Sequence, residues 1–369
     1  MSKVPHVVII GGSFAGIGAA EILAASKSPV KVTVIAESSH SYFAVAAPRA
    51  LVEPDVTKQL FYSIKDKIGK LGNKNVSFVL GKATKLDGES QTVLVEDNTT
   101  GSQQTVSYDF LILASGSRSH SPAFKLQGDY LQSKDALLGM SKNIKSAKTI
   151  AVLGGGPTAV EIAGELGLTY GKDKKISLYT GASGPLVNWN SKVTDRALQQ
   201  LESLDVQVLN TTKSVKVDET SDGSSEVHFS DGTSKTFDVV VSAYGIIPNS
   251  EYLDAKLLDS SGFVKTDEYL VTKAYPNVLA YGDIISNRPC SIIDIERVQH
   301  ATFAATVDAV IFGSSGSKKA LKDSPEMGLV PISRNGGVGV LFGWRTPSWF
   351  VRLLKSKDFM VSRGAKHFA

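Results

Sequence analysis

His6-Val7-Val8-Ile9-Ile10-Gly11-Gly12-Ser13-Phe14-Ala15-Gly16 is the stretch on which the fold turns. Five residues of mostly apolar character have the length of a buried parallel strand, and the glycines mark a tight turn. Ile17, Ala20, Ile22 and Leu23 then recur at helical spacing. Strand, glycine turn and helix together form a phosphate cradle. Glycine lets backbone N–H groups approach a diphosphate closely, and the helix N-terminus favours negative charge. A second apolar strand, 30–35, leads to Glu37, 21 residues after Gly16, where a carboxylate can bind the ribose hydroxyls of an adenosine. Ser13 stands where the middle glycine of the G-x-G-x-x-G pattern belongs.

The pattern recurs further on. Thr149-Ile150-Ala151-Val152-Leu153 feeds Gly154-Gly155-Gly156-Pro157-Thr158-Ala159, a G-x-G-x-x-A turn, and a helix through Glu161 and Glu165. The next strand, 176–179, ends at Thr180, without the acid that selects a free 2′-hydroxyl and without an adjacent arginine for a 2′-phosphate. The choice between NADH and NADPH therefore stays open. The two turns lie 143 residues apart, Gly11 to Gly154. Two bound dinucleotides imply electron transfer between them.

Further segments fit that plan. Tyr108-Asp109-Phe110-Leu111-Ile112-Leu113-Ala114-Ser115-Gly116 and Phe237-Asp238-Val239-Val240-Val241-Ser242-Ala243-Tyr244-Gly245 are two copies of one pattern, a buried strand that breaks at a small residue and a glycine. Such a break suits a chain passing between domains over a bound dinucleotide. A strand near 278–281 ends at Gly282-Asp283, and Asp283 can accept from a ribitol hydroxyl.

These motifs resemble the two-dinucleotide-binding-domain flavoproteins over essentially the whole chain. Residues 40–49, His-Ser-Tyr-Phe-Ala-Val-Ala-Ala-Pro-Arg, and the tail 347–358 resemble the apoptosis-inducing-factor-like, ferroptosis-suppressor group. The resemblance implies an α/β protein with two Rossmann-like domains, one for FAD and one for NAD(P), and a small C-terminal α+β portion. The FAD domain is expected at 1–122 and 245–312, the NAD(P)H domain at 123–244, and the C-terminal portion at 313–369, after a flexible joint at 313–317. The FAD site would comprise Gly11, Gly12, Ser13, Phe14, Ala15, Gly16, Glu37, Gly116 and Asp283, with Arg49 touching FAD and the Ala83 backbone at the adenine. NADH or NADPH would bind at Gly154, Gly156 and Ala159. By the same resemblance Glu161 faces the flavin, close to the nicotinamide. A helix expected from about 297 to 312 directs its N-terminus at the flavin pyrimidine and carries His300, a candidate proton donor.

Members of that group are NAD(P)H:quinone oxidoreductases, so the expected reaction is hydride transfer to flavin followed by electron delivery to a quinone-type acceptor. Cys290 is the single cysteine, which excludes a redox disulfide pair. A ferredoxin-type protein reductase and a redox-sensing cell-death effector with little turnover are the alternative readings.

Net charge is +4, but its distribution is uneven. Residues 344–369 carry six basic residues against Asp358, a balance of +5, which leaves −1 for the first 343. Trp344 and Trp349 lie in the same tail. Thr346 is expected to cap a helix with Pro347 in its first turn, and Phe350, Leu353, Leu354 and Val361 recur at near-helical spacing. The tail 344–369 reads either as a basic interfacial helix meeting a membrane or as a helix docked on the protein. With no leader pattern and Ser2 in place of a lipidated glycine, the expected location is cytoplasmic, peripheral on a membrane such as the mitochondrial outer membrane or a lipid-droplet surface. The near-neutral body gives no support for nucleic-acid binding, and scattered histidines give no metal site. Oligomeric state is not readable from these features.

Overall fold

The computed structural model of the chain describes residues 3–316 and 318–369. Ser2 and the last residue of the 313–317 joint lie outside the described residues.

The buried strand His6–Ile10 pairs in parallel with Lys31–Ala36 on one side and Phe110–Leu113 on the other. Val7, Val8 and Ile9 have no exposed surface, because helices cover both faces of a parallel sheet. The full sheet has seven strands. Val278–Ala280 closes one edge in parallel, so residues beyond position 245 complete a sheet begun at position 6. At the other edge Val76–Asp87 continues into the antiparallel strands Thr92–Asp97 and Gln103–Ser107.

The second sheet is wholly parallel, in the order Val206–Leu209, Lys175–Tyr179, Thr149–Leu153, Val239–Ser242. A three-stranded antiparallel sheet, Ser214–Glu219, Ser225–Phe229 and Ser234–Phe237, packs beside it through Tyr179, Phe229 and Phe237. The architecture is the expected one: two Rossmann-like α/β units.

The duplicated strand motif has a duplicated staple. Asp109 Oδ2 accepts from the His6 N–H at 2.8 Å, and Asp238 Oδ2 accepts from the Lys148 and Thr149 N–H groups at 2.7 and 2.8 Å. Each aspartate thus ties the strand it precedes to the start of its unit's first strand, its parallel neighbour. The two connections between the units run side by side, with Ser117–Arg118 antiparallel to Ile247–Pro248.

The C-terminal portion is a three-stranded antiparallel sheet, Gly328–Ser333, Gly336–Leu341 and Trp344–Arg345, followed by helical turns. It sits on the helix Pro157–Tyr170. Gly164 makes this contact, since a Cβ there would overlap the Ile332 carbonyl. The expected tail helix differs in three respects. Pro347 is the capping residue itself, the helix Ser348–Val351 widens into a π-turn at Arg352–Ser356, and a separate helix runs Val361–Phe368 after a left-handed Met360. Val351, Phe359 and Phe368 are buried, whereas Leu353 points outward. The helix expected near 297 starts earlier, at Ile292, passes through a π-turn at Ile295–Gln299 and ends at Val310. No helix among the described residues is long and apolar enough to cross a membrane.

Candidate active site

The first glycine turn is held by the Gly11 N–H, which donates to the Ile35 carbonyl at 2.8 Å. Gly11 has φ +121°, and a Cβ there would collide with the Ala114 carbonyl, so only glycine fits between strand and crossing. Ser13 caps the helix Phe14–Ala24 without a side-chain hydrogen bond, which leaves first-turn N–H groups for a diphosphate. Glu37 stands at the end of the second strand, half-exposed, with Lys82 Nζ 3.4 Å from its carboxylate. Ala83, next to Lys82, lies on the strand Val76–Asp87 opposite Val95.

The second turn repeats the geometry. The Gly154 N–H donates to the Tyr179 carbonyl at 2.9 Å, and Gly156 caps the helix Pro157–Tyr170 without a side-chain bond. A Cβ on Gly156 would meet nothing, so the space before the helix is open to a ligand. Ala159, in the first turn, is fully buried. Thr180 turns its hydroxyl inward, 3.0 Å from the Ala182 carbonyl and 3.1 Å from Asn210 Oδ1. The neighbouring cation is Lys213: a Cβ at Gly181 would lie 3.5 Å from its Cβ and Cγ. It comes from the segment after the next strand, a proximity that no local motif announces.

Gly282 and Asp283 end the strand that completes the first sheet. The Gly282 N–H donates to Gln299 Oε1 at 2.8 Å, and Gln299 Nε2 donates to the buried Asp294 at 2.7 Å. Asp283 has two unlike oxygens. Oδ2 receives Lys125 Nζ at 2.6 Å, whereas Oδ1 is buried with no partner among the described residues. A buried acceptor without a donor is costly, and a ribitol hydroxyl would satisfy it. Together with the uncapped helix start at Ser13, this acceptor fits FAD. Gly116, at φ +64°, receives the Asn249 N–H on its carbonyl at 3.0 Å and so joins the two crossings beside this acid.

Glu161 and Glu165, one helical turn apart, are 5% and 1% exposed. Each has a cation from a distant segment. Lys355 Nζ lies 2.6 Å from Glu161 Oε1 and 3.2 Å from the Leu329 carbonyl. Arg49, 3% exposed, grips Glu165 with Nε at 2.5 Å and Nη2 at 3.0 Å, and donates to the Ser356 and Lys357 carbonyls. Burial pushes both glutamic acids above the usual carboxylate range, and the adjacent cations oppose it. A buried carboxylate of this kind survives only when paired, so the NAD(P) helix, the 47–50 turn and the tail form one electrostatic unit.

His300 is not part of that unit. It is exposed, 3.4 Å from the Tyr281 hydroxyl, and lines a groove with Glu296, His367 and Phe368. His367 pairs there with Glu296 at 3.1 Å, and Phe368 packs edge-on to Phe14 with 4.6 Å between centroids. Lys355 and Lys125 were not singled out by motif. Lys355 falls in a tail whose spacing suggests only an amphipathic helix, and Lys125 lies in an irregular crossing. Among the described residues no group of three or more His, Cys, Asp or Glu could hold a metal ion.

Two Rossmann units with glycine turns free of side-chain caps, a buried Asp283 oxygen without a partner among the described residues, and a single cysteine fit an NAD(P)H-dependent flavoprotein oxidoreductase that uses FAD. The chain belongs to the pyridine nucleotide-disulphide oxidoreductase family, whose model matches residues 5–305. It is 34% identical to an oxidoreductase, ptaL, of Pestalotiopsis fici, over 96% of both chains. It is 30% identical to ferroptosis suppressor protein 1 of Xenopus tropicalis, over 98% of this chain and 95% of that one. Its fold matches the sulfide:quinone oxidoreductase of Aquifex aeolicus with a TM-score of 0.78 at 14% identity, covering 99% and 92% of the two chains.

Proposed function

We propose that the protein is an NAD(P)H:quinone oxidoreductase, with the balance NAD(P)H + H⁺ + quinone → NAD(P)⁺ + hydroquinone. The chemistry supplied by bound FAD is acceptance of hydride and release of two electrons. The first glycine turn and Asp283 bind and orient that cofactor, and the second turn binds the pyridine nucleotide. Lys355, with its side chain only 16% exposed, sets its Nζ against the Glu161 carboxylate. That side chain is the donor offered to a quinone oxygen as it becomes a hydroxyl.

The observation that carries this reading is the Lys355–Glu161 pair, largely withdrawn from solvent, which joins a hydrogen-bond donor to the helix assigned to the hydride donor. Cys290, alone and with its thiol pushed up to about 11 by burial, offers no disulfide to receive electrons. A steady-state screen on the yellow protein tests the reading: NADH and NADPH, each with short-chain quinones, ferricyanide, oxygen and a ferredoxin. Quinone turnover well above the other acceptors is expected. Fast turnover only with ferredoxin, or a long-lived reduced protein without turnover, overturns it.

The tail supports peripheral contact with an anionic membrane surface. Phe342, Trp344, Trp349 and Leu353 are 65–81% exposed, beside the exposed Arg345 and Arg352. Aromatic and basic side chains together suit the headgroup layer, and contact there would place the protein, on the cytoplasmic side, close to lipid-soluble quinone. Deletion of 344–369 would remove Lys355 as well, so the clean test is Trp344→Ser/Trp349→Ser/Leu353→Ser in liposome co-sedimentation. Undiminished binding by that variant, or no binding by the parent protein, defeats this part of the proposal.

A further inference from the structure

We infer that Lys125 is a positioning residue for FAD, acting through Asp283 by cancelling the charge of the carboxylate that receives the ribitol. This rests on FAD as cofactor and is independent of the electron acceptor.

Lys125 Nζ makes two short contacts, 2.6 Å to Asp283 Oδ2 and 2.7 Å to Ser117 Oγ. Ser117 lies in one of the two interdomain connections, on the strand paired with Ile247–Pro248. The backbone carrying Lys125 is pinned as well. Ala123 and Phe124 are buried, and the Ala123 carbonyl accepts from the fully buried Tyr42 hydroxyl at 2.6 Å. The lysine head is therefore brought to Asp283 by a fixed segment, and its side chain is only 26% exposed.

The second observation is the asymmetry at Asp283. Its Oδ1 is buried and unpartnered, while Oδ2 is fully engaged. One oxygen is left free for a ligand donor, and the other is held by the lysine. Without a cation, a carboxylate in this place would sit near an anionic diphosphate and beside a flavin that gains negative charge on reduction. Like charges in a partly desolvated site repel strongly. Lys125 makes the local pair neutral, leaving Asp283 as a hydrogen-bond acceptor without its full field.

The experiment is a double-mutant cycle read by titration of apoprotein with FAD, following flavin fluorescence. Lys125→Met should weaken FAD binding on the order of 10- to 100-fold, because it strands a charged acceptor. Lys125→Arg should keep most of the affinity. Asp283→Asn removes the charge, so adding Lys125→Met to it should cost less than about 3-fold. That non-additivity separates charge cancellation from a packing role, and it does not depend on turnover. Circular dichroism of the apoproteins checks folding. Should Lys125→Met not fold, Lys125→Gln takes its place in both backgrounds of the cycle. Equal losses in the two backgrounds, or FAD affinity unchanged in Lys125→Met, overturn the inference.

Discussion

Lys355 Nζ and Glu161 Oε1 meet at 2.6 Å across 194 residues of sequence. The contact ties the tail to the helix that follows the second glycine turn. Glu161→Gln should keep FAD bound while slowing flavin reduction by NAD(P)H and quinone turnover, each on the order of 10- to 100-fold. Stopped-flow absorbance of the flavin band checks the first and steady-state assays the second. An unchanged reduction rate would remove Glu161 from the site.

Arg49 and Glu165 are a separable test of the same interface. Arg49→Met strands a carboxylate that is 1% exposed, and a loss of about 3–5 kcal/mol is expected. Lysine should not rescue it, since the pairing uses both Nε and Nη2. Arg49→Met/Glu165→Gln should recover most of the loss. Urea denaturation of the three variants measures all of these quantities.

Acid should loosen both units at their paired staples. Asp109 is held below the usual carboxylate range by Lys3 and then by the His6 N–H, and Asp238 by the Lys148 and Thr149 N–H groups. A carboxyl depressed in the folded state contributes stability above its unfolded pKa of about 4, and that contribution is lost as pH falls through the lower folded value. Asp238→Asn should therefore lower Tm by about 2–5 °C at pH 6. It should also flatten the dependence of Tm on pH between pH 2 and 4. A parallel downward shift at every pH would contradict this.

Lys213 should bear on nucleotide choice. It stands beside Gly181, at the strand end where a 2′-phosphate would lie, and Thr180 offers no acid to repel one. Lys213→Glu is expected to raise KM for NADPH about 10-fold relative to that for NADH, with kcat little changed. Binding of 2′,5′-ADP and 5′-AMP to the oxidised protein checks the same discrimination without turnover.

The two nucleotide turns were legible because they are local: a strand, three or four small residues and a helix carry all the geometry in about a dozen positions. The sequential breaks at Gly116 and Gly245 were legible for the same reason. The ion pairs were not. Lys355, Arg49 and Lys125 meet their acids across 194, 116 and 158 residues, and nothing in a cation's sequence neighbours marks its partner. His300 shows the opposite limit, since a histidine on the expected helix faces an outer groove once a π-turn rotates the helix. In the tail, spacing grouped Leu353 with Phe350 and Leu354. The π-turn at Arg352–Ser356 sends Leu353 outward and Lys355 inward.

The pairing of Ser117–Arg118 with Ile247–Pro248 means that the NAD(P) unit enters and leaves at one spot. A segment whose ends touch can be removed and the gap closed by a short turn, so the FAD unit could stand as a continuous single-nucleotide protein. The C-terminal sheet forbids that simplification here. It rests on Gly164, and Lys355 beyond it reaches Glu161, so excising the inserted unit would strip the tail of half its seat and leave only its contacts to Arg49, Phe14 and Glu296. Residues 328–369 thus act as a keystone: they commit the chain to keeping both halves.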